Sequence, residues 1–541
     1  MANVTFPLRD IEKAISLNEK VIEEINMFGT TVESLTKEEI CLEVPANRPD
    51  LLSMQLFIKA FKTYQGKEHA SQHKINHSLK KTYTINVNKN VKPIRPYTAC
   101  SIVKNLDLKE ENIKELIYLQ EKLHATIGRQ RKKSAIGIYP LDKISFPIRY
   151  ESRKPSDITF IPLGSTQEMN ASQILQRHPA GKAYAKLLNG ERFPIFVDAK
   201  NNILSMPPIV NSQETGQITS QTKDVFIECS GKDKNVLHQT LNIIVATLAE
   251  MGGAIYAVTI KDEITEISPN LSPQTLKTTK ENVEKLLGIK MTEKEMQTYL
   301  KRMGHEYSKG KVHVSPWRTD ILHEVDLIED IAIAYGYNRI IPDIPKIATS
   351  GERLKKSTLR SSIIENLVGL GFLENSSLHM IKAEEAKIMN IQHPLKVSNS
   401  RTEYTILRPN MLIPLLRTLS ENTNVEYPQK LCEIGRVFAK DDHTETGIRE
   451  EEHLVIALTP SNFTEAKQTL DYLLRFLNVN YELQDMTSKP FISGRAGSII
   501  VNTHNIGNLG EIHPQTLHDW GLKLPLALIE LDLEEIYKLL E

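Results

Sequence analysis

Four carboxylates crowd one short stretch of this chain: Asp320, Asp326, Glu329 and Asp330. At 100° per residue a helix places Asp326, Glu329 and Asp330 on one face, opposite Val325, Ile328, Ala332 and Tyr335. Like charges at that spacing repel by about 0.2–0.5 kcal/mol per pair unless something neutralises them. An all-oxygen set suits a hard divalent cation such as Mg2+ rather than zinc. The alternative is an ordinary acidic surface face, paired with Arg318 or Arg339. A second cluster has the opposite sign. Arg129, Arg131, Lys132 and Lys133 put four cations in five positions, which makes either a solvated loop or a contact for a nucleic-acid backbone. Nucleophilic chemistry finds less support, since no G-x-S-x-G elbow accompanies His178 or His238. There is also no P-loop or G-x-G-x-x-G to cradle a nucleotide. Four scattered cysteines (Cys41, Cys100, Cys229, Cys432) form no C-x-x-C pair, against a thiolate zinc site or a disulfide framework.

The elements that must carry these clusters fall into four regions, an α+β multidomain arrangement. Residues 1–80 mix short helical and strand-like segments and end in the polar stretch Gln65–Lys81. Residues 90–265 open at the turn Pro93-Ile-Arg-Pro96 and hold strand-like runs at Ala135–Tyr139, Ile195–Asp198 and Val225–Cys229. A helix is expected at Asn112–Ile127. Another, Asn235–Met251, repeats Leu237, Leu241, Ile244, Leu248 and Met251 at helical spacing and stops at Gly252-Gly253. Residues 268–345 begin at Ser268-Pro-Asn-Leu-Ser-Pro273. Thr279 precedes a helix over Glu281–Leu287 that ends on Gly288, and a second spans Thr292–Met303. The strand Lys311–Val314 then leads to the acidic helix, Leu322–Tyr335. Two helices before a strand are compatible with a winged-helix arrangement. Residues 350–541 are α+β again, with helices at Lys355–Leu370 and Asn410–Asn422.

Composition narrows the class. The chain has 541 residues, 40% hydrophobic and 25% charged, with 67 Lys plus Arg against 67 Asp plus Glu. A protein gripping nucleic acid over its whole surface is normally basic, so any RNA contact here is local or shared with a partner. The most apolar stretch, Leu241–Leu248, is too short to span a bilayer, and the first residues do not read as a secretory signal. A soluble, cytoplasmic protein with no membrane association is expected.

Three stretches carry a family resemblance. Glu43-Val-Pro-Ala-Asn-Arg-Pro-Asp-Leu-Leu-Ser53 resembles the signature near the start of phenylalanyl-tRNA synthetase beta subunits; physically it is a polar turn with Asp50 as N-cap of a helix from Leu51. Leu204-Ser-Met-Pro-Pro-Ile-Val-Asn211, Phe226-Ile-Glu-Cys-Ser-Gly-Lys-Asp233 and Pro155-Ser-Asp157 resemble the editing domain of the archaeal and eukaryotic type. The segment Pro316 to Tyr337 is similar to the signature that ends the family's winged-helix-like domain. The length, and the lack of an added N-terminal RNA-binding barrel, favour the archaeal form over the bacterial one.

The resemblance implies the rest. The four regions become an N-terminal α/β module (1–80), an editing domain (90–265), a winged-helix-like module with the acidic helix (268–345) and a degenerate class II synthetase core (350–541), an antiparallel sheet with helices. It implies a Mg2+ site at Asp320, Asp326, Glu329 and Asp330, shared with a partner subunit. It also implies a site hydrolysing tyrosyl-tRNA(Phe), formed by Ser205, Glu228 and Ser230 with Phe196 as a wall. Such a site answers a physical need, because a hydrophobic pocket rejects an added hydroxyl only about 10²-fold. Ser230 stands where the family often has Thr, and Glu228 where some members have Asp. A positioned water is the expected nucleophile. In the last region Leu431-Cys-Glu-Ile-Gly-Arg-Val-Phe438 looks like the strand of the second class II motif, yet it continues Ala439-Lys-Asp441 and lacks the arginine that clamps the ATP α-phosphate. Pro525-Leu-Ala-Leu-Ile-Glu-Leu-Asp532 occupies the place of the third motif without its Glu-Arg. ATP is then bound mainly by an alpha subunit in an α2β2 heterotetramer that charges tRNA(Phe). Two alternatives stay open, a scaffold that does not edit and a stand-alone deacylase acting in trans.

Overall fold

The computed structural model describes residues 2–70, 72–77 and 83–540. Part of the polar stretch Gln65–Lys81 lies outside the described residues. The chain divides into two compact units, Met1–Ile344 and Pro345–Glu541.

In the first unit a five-stranded sheet runs in the order Ile75–Asn76, Ala254–Tyr256, Tyr97–Lys104, Val225–Gly231, Ser134–Pro140. Only its first pair is parallel. The helices Glu110–Ala125 and Lys234–Glu250 cover one face. Strand alternation sorts the side chains: Val225, Ile227 and Cys229 join the helices in one core, whereas Phe226 turns to the other face. There it packs with Tyr150, Phe196 and Leu204 from a seven-stranded sheet in the order 210–211, 203–206, 193–197, 148–153, 84–87, 258–261, 265–268. Ser134–Pro140 is an edge strand of its sheet, and the candidate site lies along that edge.

The expected boundary near residue 80 does not separate two cores. Phe57 and Phe61, on the helix Met54–Tyr64, share one cluster with Leu119, Leu241 and Leu248. The helix Lys234–Glu250 is therefore buried beyond the expected stripe, including Ile243, Val245 and Ala246. Asp50 does not cap a helix either. Pro49–Leu52 is a single 3-10 turn, and the helix begins at Met54 with Ser53 as its N-cap. Asp50 is buried and accepts two hydrogen bonds from Arg48, at 3.0 and 2.8 Å.

Residues 274–335 form a three-stranded antiparallel sheet, 274–277, 311–314, 306–308, against the helices Lys280–Leu287, Glu293–Arg302 and Glu324–Tyr335. The strand Lys311–Val314 and the stop at Gly288, with φ of 68°, fall where the sequence places them.

The second unit is a seven-stranded sheet, 373–374, 429–440, 448–459, 527–532, 504–512, 491–501, 482–485. It is antiparallel except at the first pair. The helices Lys355–Gly369, Phe463–Phe476 and Leu533–Leu540 contribute to one core and Leu412–Glu421 to another.

Candidate functional site

A cavity of about 400 Å3 opens at the free edge of the 134–140 strand, and its lining includes both Ser205 and Glu228. Ile117, Ile136 and Pro208 give it apolar walls. Ser205 lies next to the end of the strand Ile203–Met206, opposite Phe196 and Asn211 on its two neighbours. Glu228 lies mid-strand, opposite Gly137 and Cys100. Both side chains are buried, and neither Ser205 Oγ nor Glu228 Oε2 has a partner at hydrogen-bond distance, although Tyr139 stands near the serine and Ser230 near the carboxyl. Buried polar atoms are almost always paired, since leaving one unsatisfied costs about 1–3 kcal/mol. Two orphans on one cavity mark a place built for a polar ligand.

The other carboxylate oxygen of Glu228 is held from behind. The Tyr139 hydroxyl lies 3.2 Å from Glu228 Oε1 and 3.3 Å from Asn211 Oδ1. One hydroxyl proton cannot serve two acceptors. Tyr139 donates to Glu228 Oε1, the nearer of the two, and a protonated Glu228 still accepts there through its carbonyl oxygen. Burial favours this state, pushing the Glu228 carboxyl up to about 8 against weaker pulls from the Tyr139 hydrogen bond and the Arg95 charge. Gly137 makes room for the pair, because a Cβ there would fall 2.6 Å from Glu228 Oε1. Sequence reasoning missed Tyr139, Gly137 and Asn211. The signal for the first two was present in the strand Ala135–Tyr139, where positions 137 and 139 share a face.

Ser230 and Phe196 do not line this cavity. Ser230 faces Arg95, whose guanidinium donates to Ser230 Oγ at 3.2 Å and also to the Ser230 carbonyl. Phe196 stacks on Tyr150 with ring centroids 4.3 Å apart, inside the core between the sheets. Phe196 is a core residue rather than a pocket wall. Neither cavity histidine has a free nitrogen. His124 receives the Ile136 amide on Nε2 and meets Glu121 through Nδ1. His178 meets the Leu163 carbonyl and the Ala180 amide. His238, with Nδ1 unpaired, is not part of the lining.

The basic cluster is a turn that the structure splits in two. Arg129, Gln130 and Arg131 all take positive φ, between 47° and 63°, an uncommon backbone for side-chain-bearing residues. Arg131 anchors the turn by donating to the Ile209 carbonyl at 2.9 Å, pairing with Glu121 and stacking over Tyr184. Lys133 pairs with Asp233 at 3.0 Å. Arg129 and Lys132 remain exposed.

The acidic helix faces differently from the expected wheel. Val325 is exposed, whereas Asp330 is buried. Arg318 donates to Asp320 at 2.9 and 2.7 Å and to Asp330 at 2.8 Å, and His305 Nε2 lies 2.6 Å from Asp330. Burial alone would raise the Asp330 carboxyl, but Arg318 and then His305 outweigh it and hold it at about 2. Asp326 caps its own helix, accepting the Leu322 and His323 amides at 2.8 Å. Among the described residues no three of these four carboxylates come within ligating distance of each other. Glu329 stays exposed, its carboxylate making no hydrogen bond or ion pair with another described residue. Its carboxyl is raised by burial and then by Asp330 and Asp326. The His/Asp/Glu group that does converge is Glu451, His453 and Asp532 in the second unit, where His453 pairs with Glu530 at 2.8 Å.

In the second unit the strand Gln429–Lys440 carries Arg436 outward to Glu450. The buried guanidinium nearby, Arg408, is occupied by the Arg436 carbonyl, Ser377 and Glu433.

The family model described as tRNA synthetase B5 domain matches residues 276–337. The model described as phenylalanyl tRNA synthetase beta chain CLM domain matches residues 340–533. The phenylalanine–tRNA ligase beta subunit of Thermococcus sibiricus is 36% identical over 510 residues, covering 91% of this chain and 90% of its own. That of Archaeoglobus fulgidus is 33% identical over 558 residues, 99% of each chain. Among solved structures, an N-terminal fragment of the phenylalanyl-tRNA synthetase beta subunit from Pyrococcus horikoshii superposes with a TM-score of 0.59 at 32% identity. It covers 62% of this chain and 99% of that one.

Proposed function

The chain belongs to the phenylalanine–tRNA ligase beta-subunit family, and from that premise we propose that it joins an alpha subunit in charging tRNA(Phe) with phenylalanine while its own cavity hydrolyses tyrosyl-tRNA(Phe). ATP is bound mainly by the alpha subunit, since Arg436 and Arg408 are both engaged inside this chain. Assembly as α2β2 belongs to the same reading.

The observation that carries the hydrolytic half is the pair of orphaned atoms, Ser205 Oγ and Glu228 Oε2, on one apolar-walled cavity. A tyrosyl group fits such a site, its ring against Ile136 and Pro208 and its phenol hydroxyl supplying partners for both atoms. A phenylalanyl group would leave both unpaired. Sites built to bind a substrate hydroxyl reject the analogue lacking it by about 10⁴–10⁵-fold, which spares the correctly charged product. With both cavity histidines tied up, Ser205 has no base to make it a nucleophile, so water attacks the ester carbonyl. Ser230 and Arg95 act behind Glu228 rather than on the substrate.

A divalent cation has a narrower place than the sequence suggests. Glu329, with Asp326 beside it and water completing the shell, would hold Mg2+, which usually keeps several waters. Such an ion neutralises the acidic helix.

Replacing Glu228 or Ser205 with alanine in the α–β heteromer tests the hydrolytic reading. Loss of one oriented hydrogen bond lowers tyrosyl-tRNA(Phe) hydrolysis by roughly 10–100-fold, with phenylalanine charging by the same preparation reporting that the assembly is intact. Unchanged hydrolysis in both variants removes this cavity from the function.

A further inference from the structure

A second cavity, of about 290 Å3, lies beside the first and has a different character. Lys132, Lys186 and Lys232 converge on it over an apolar floor of Ile94, Leu187 and Leu188. All three lysines are exposed, and among the described residues none has an ion-pair partner. Their neighbours contrast with them, since Arg131 pairs with Glu121 and Lys133 with Asp233. Three ammonium groups without a counter-charge around one concavity favour an anion there. The apolar floor adds a surface for a sugar or a base.

The two cavities are lined from the same segments, though by different residues. On the turn 129–133, Arg131 lines the Ser205–Glu228 cavity and Lys132 lines this one. On the strand Val225–Gly231, Glu228 lines the first cavity, and Lys232, just past the strand end, lines the second. Arg95 joins them from beneath, donating to Ser230 and to the Arg131 carbonyl. Four residues of strand separate Glu228 from Lys232 by about 13 Å. A tyrosyl group with its phenol hydroxyl at Glu228, together with the ribose it is esterified to, spans a comparable length, which brings the first phosphates behind that ribose to the lysines.

We propose that the Lys132–Lys186–Lys232 cavity binds the phosphodiesters of the single-stranded 3′ end of the RNA whose terminal ribose carries the ester. This rests on the hydrolytic reading above and deepens it: one cavity holds the aminoacyl group and the other fixes the strand that delivers it. Arg129 is not part of this site.

The test compares the heteromer with its K132A/K186A/K232A variant on tyrosyl-tRNA(Phe) and on the tyrosyl ester of adenosine alone, which has no upstream phosphate. The expected result is a KM for the tRNA raised tenfold or more, with the adenosine ester hydrolysed within twofold of the parent. The slope of log(kcat/KM) against log salt flattens by about 0.7 for each lost phosphate contact. Lysine-to-arginine replacement at the same three positions restores the tRNA KM. An unchanged KM and salt slope, or an equal loss on both esters, overturns the proposal. If the parent hydrolyses neither ester, the hydrolytic reading fails by itself. Binding of an RNA hexanucleotide matching the tRNA 3′ end then decides the cavity. Tenfold weaker binding by the triple-alanine variant supports it, and equal binding overturns it.

Discussion

Glu228 lies on a strand whose odd positions, Val225, Ile227 and Cys229, pack under helices, so it turns with Phe226 toward the layer between two sheets. That layer has little water to solvate a charge, and burial raises the carboxyl from its ordinary 4.5 to about 8. The consequence for stability has a definite sign. Between about 4.5 and 8 the folded chain holds a proton that the unfolded chain has released. The contribution of this group to stability therefore falls as pH rises through that window and is flat above it. Glutamine at 228 keeps the neutral shape at every pH. The unfolding temperature of E228Q is expected to gain on the parent by several degrees between pH 5 and pH 9, each kcal/mol being worth about 1–2 °C for a unit as large as Met1–Ile344. Thermal melts of both proteins at the two pH values check this, and parallel shifts would show that Glu228 is already ionised at neutral pH. Ser205 and Glu228 were legible as a pair only through family resemblance. Their shared cavity depends on Tyr139 and on the missing Cβ of Gly137, which are contacts across strands rather than a sequence pattern.

At the scale of elements, local signals placed most helices well. Thr279 and Thr292 cap the helices they precede, and Gly288 ends the first of them. The acidic helix shows where such signals stop. Its wheel puts three carboxylates outside, but Arg318 and His305, from the segment before it, meet Asp330 and draw it into the interior. Arg318, given as the alternative partner of these carboxylates, holds two of the four. The expected turn at Arg48–Asp50 proves to be another buried ion pair of the same unit. Breaking such a pair from one side leaves a buried charge without compensation and costs about 3–5 kcal/mol. Arg318→Met is expected to lower stability by that amount, read from the urea midpoint of the chain. Adding Asp330→Asn recovers part of it, because the orphaned charge is then removed. A midpoint within about 0.5 kcal/mol of the parent would place Arg318 on the surface instead.

At the scale of the molecule, the division at 344/345 parts the candidate hydrolytic site from the sheet of the second unit. Residues 341–354 between the helices at 335 and 355 are exposed and carry no helix or strand. The second unit offers no unoccupied arginine on the strand Gln429–Lys440 or beside it at Arg408. The purified chain is accordingly expected to show no phenylalanine-dependent exchange of pyrophosphate into ATP, and mixing with the alpha subunit is expected to restore it. Exchange by this chain alone would contradict that division of labour.

By itself the amino-acid sequence determined the family, the α+β character, most helix ends and the candidates Ser205 and Glu228. These rest on local propensity, periodicity and motif, which need only near neighbours along the chain. Tertiary structure decided which candidates act together. It paired Ser205 with Glu228, withdrew Phe196 and Ser230 into the interior, neutralised Asp320 and Asp330 and gathered Lys132, Lys186 and Lys232. Burial and partner choice depend on residues far apart in sequence, such as Tyr139 with Glu228 or His305 with Asp330, and only the folded chain brings them within hydrogen-bonding distance.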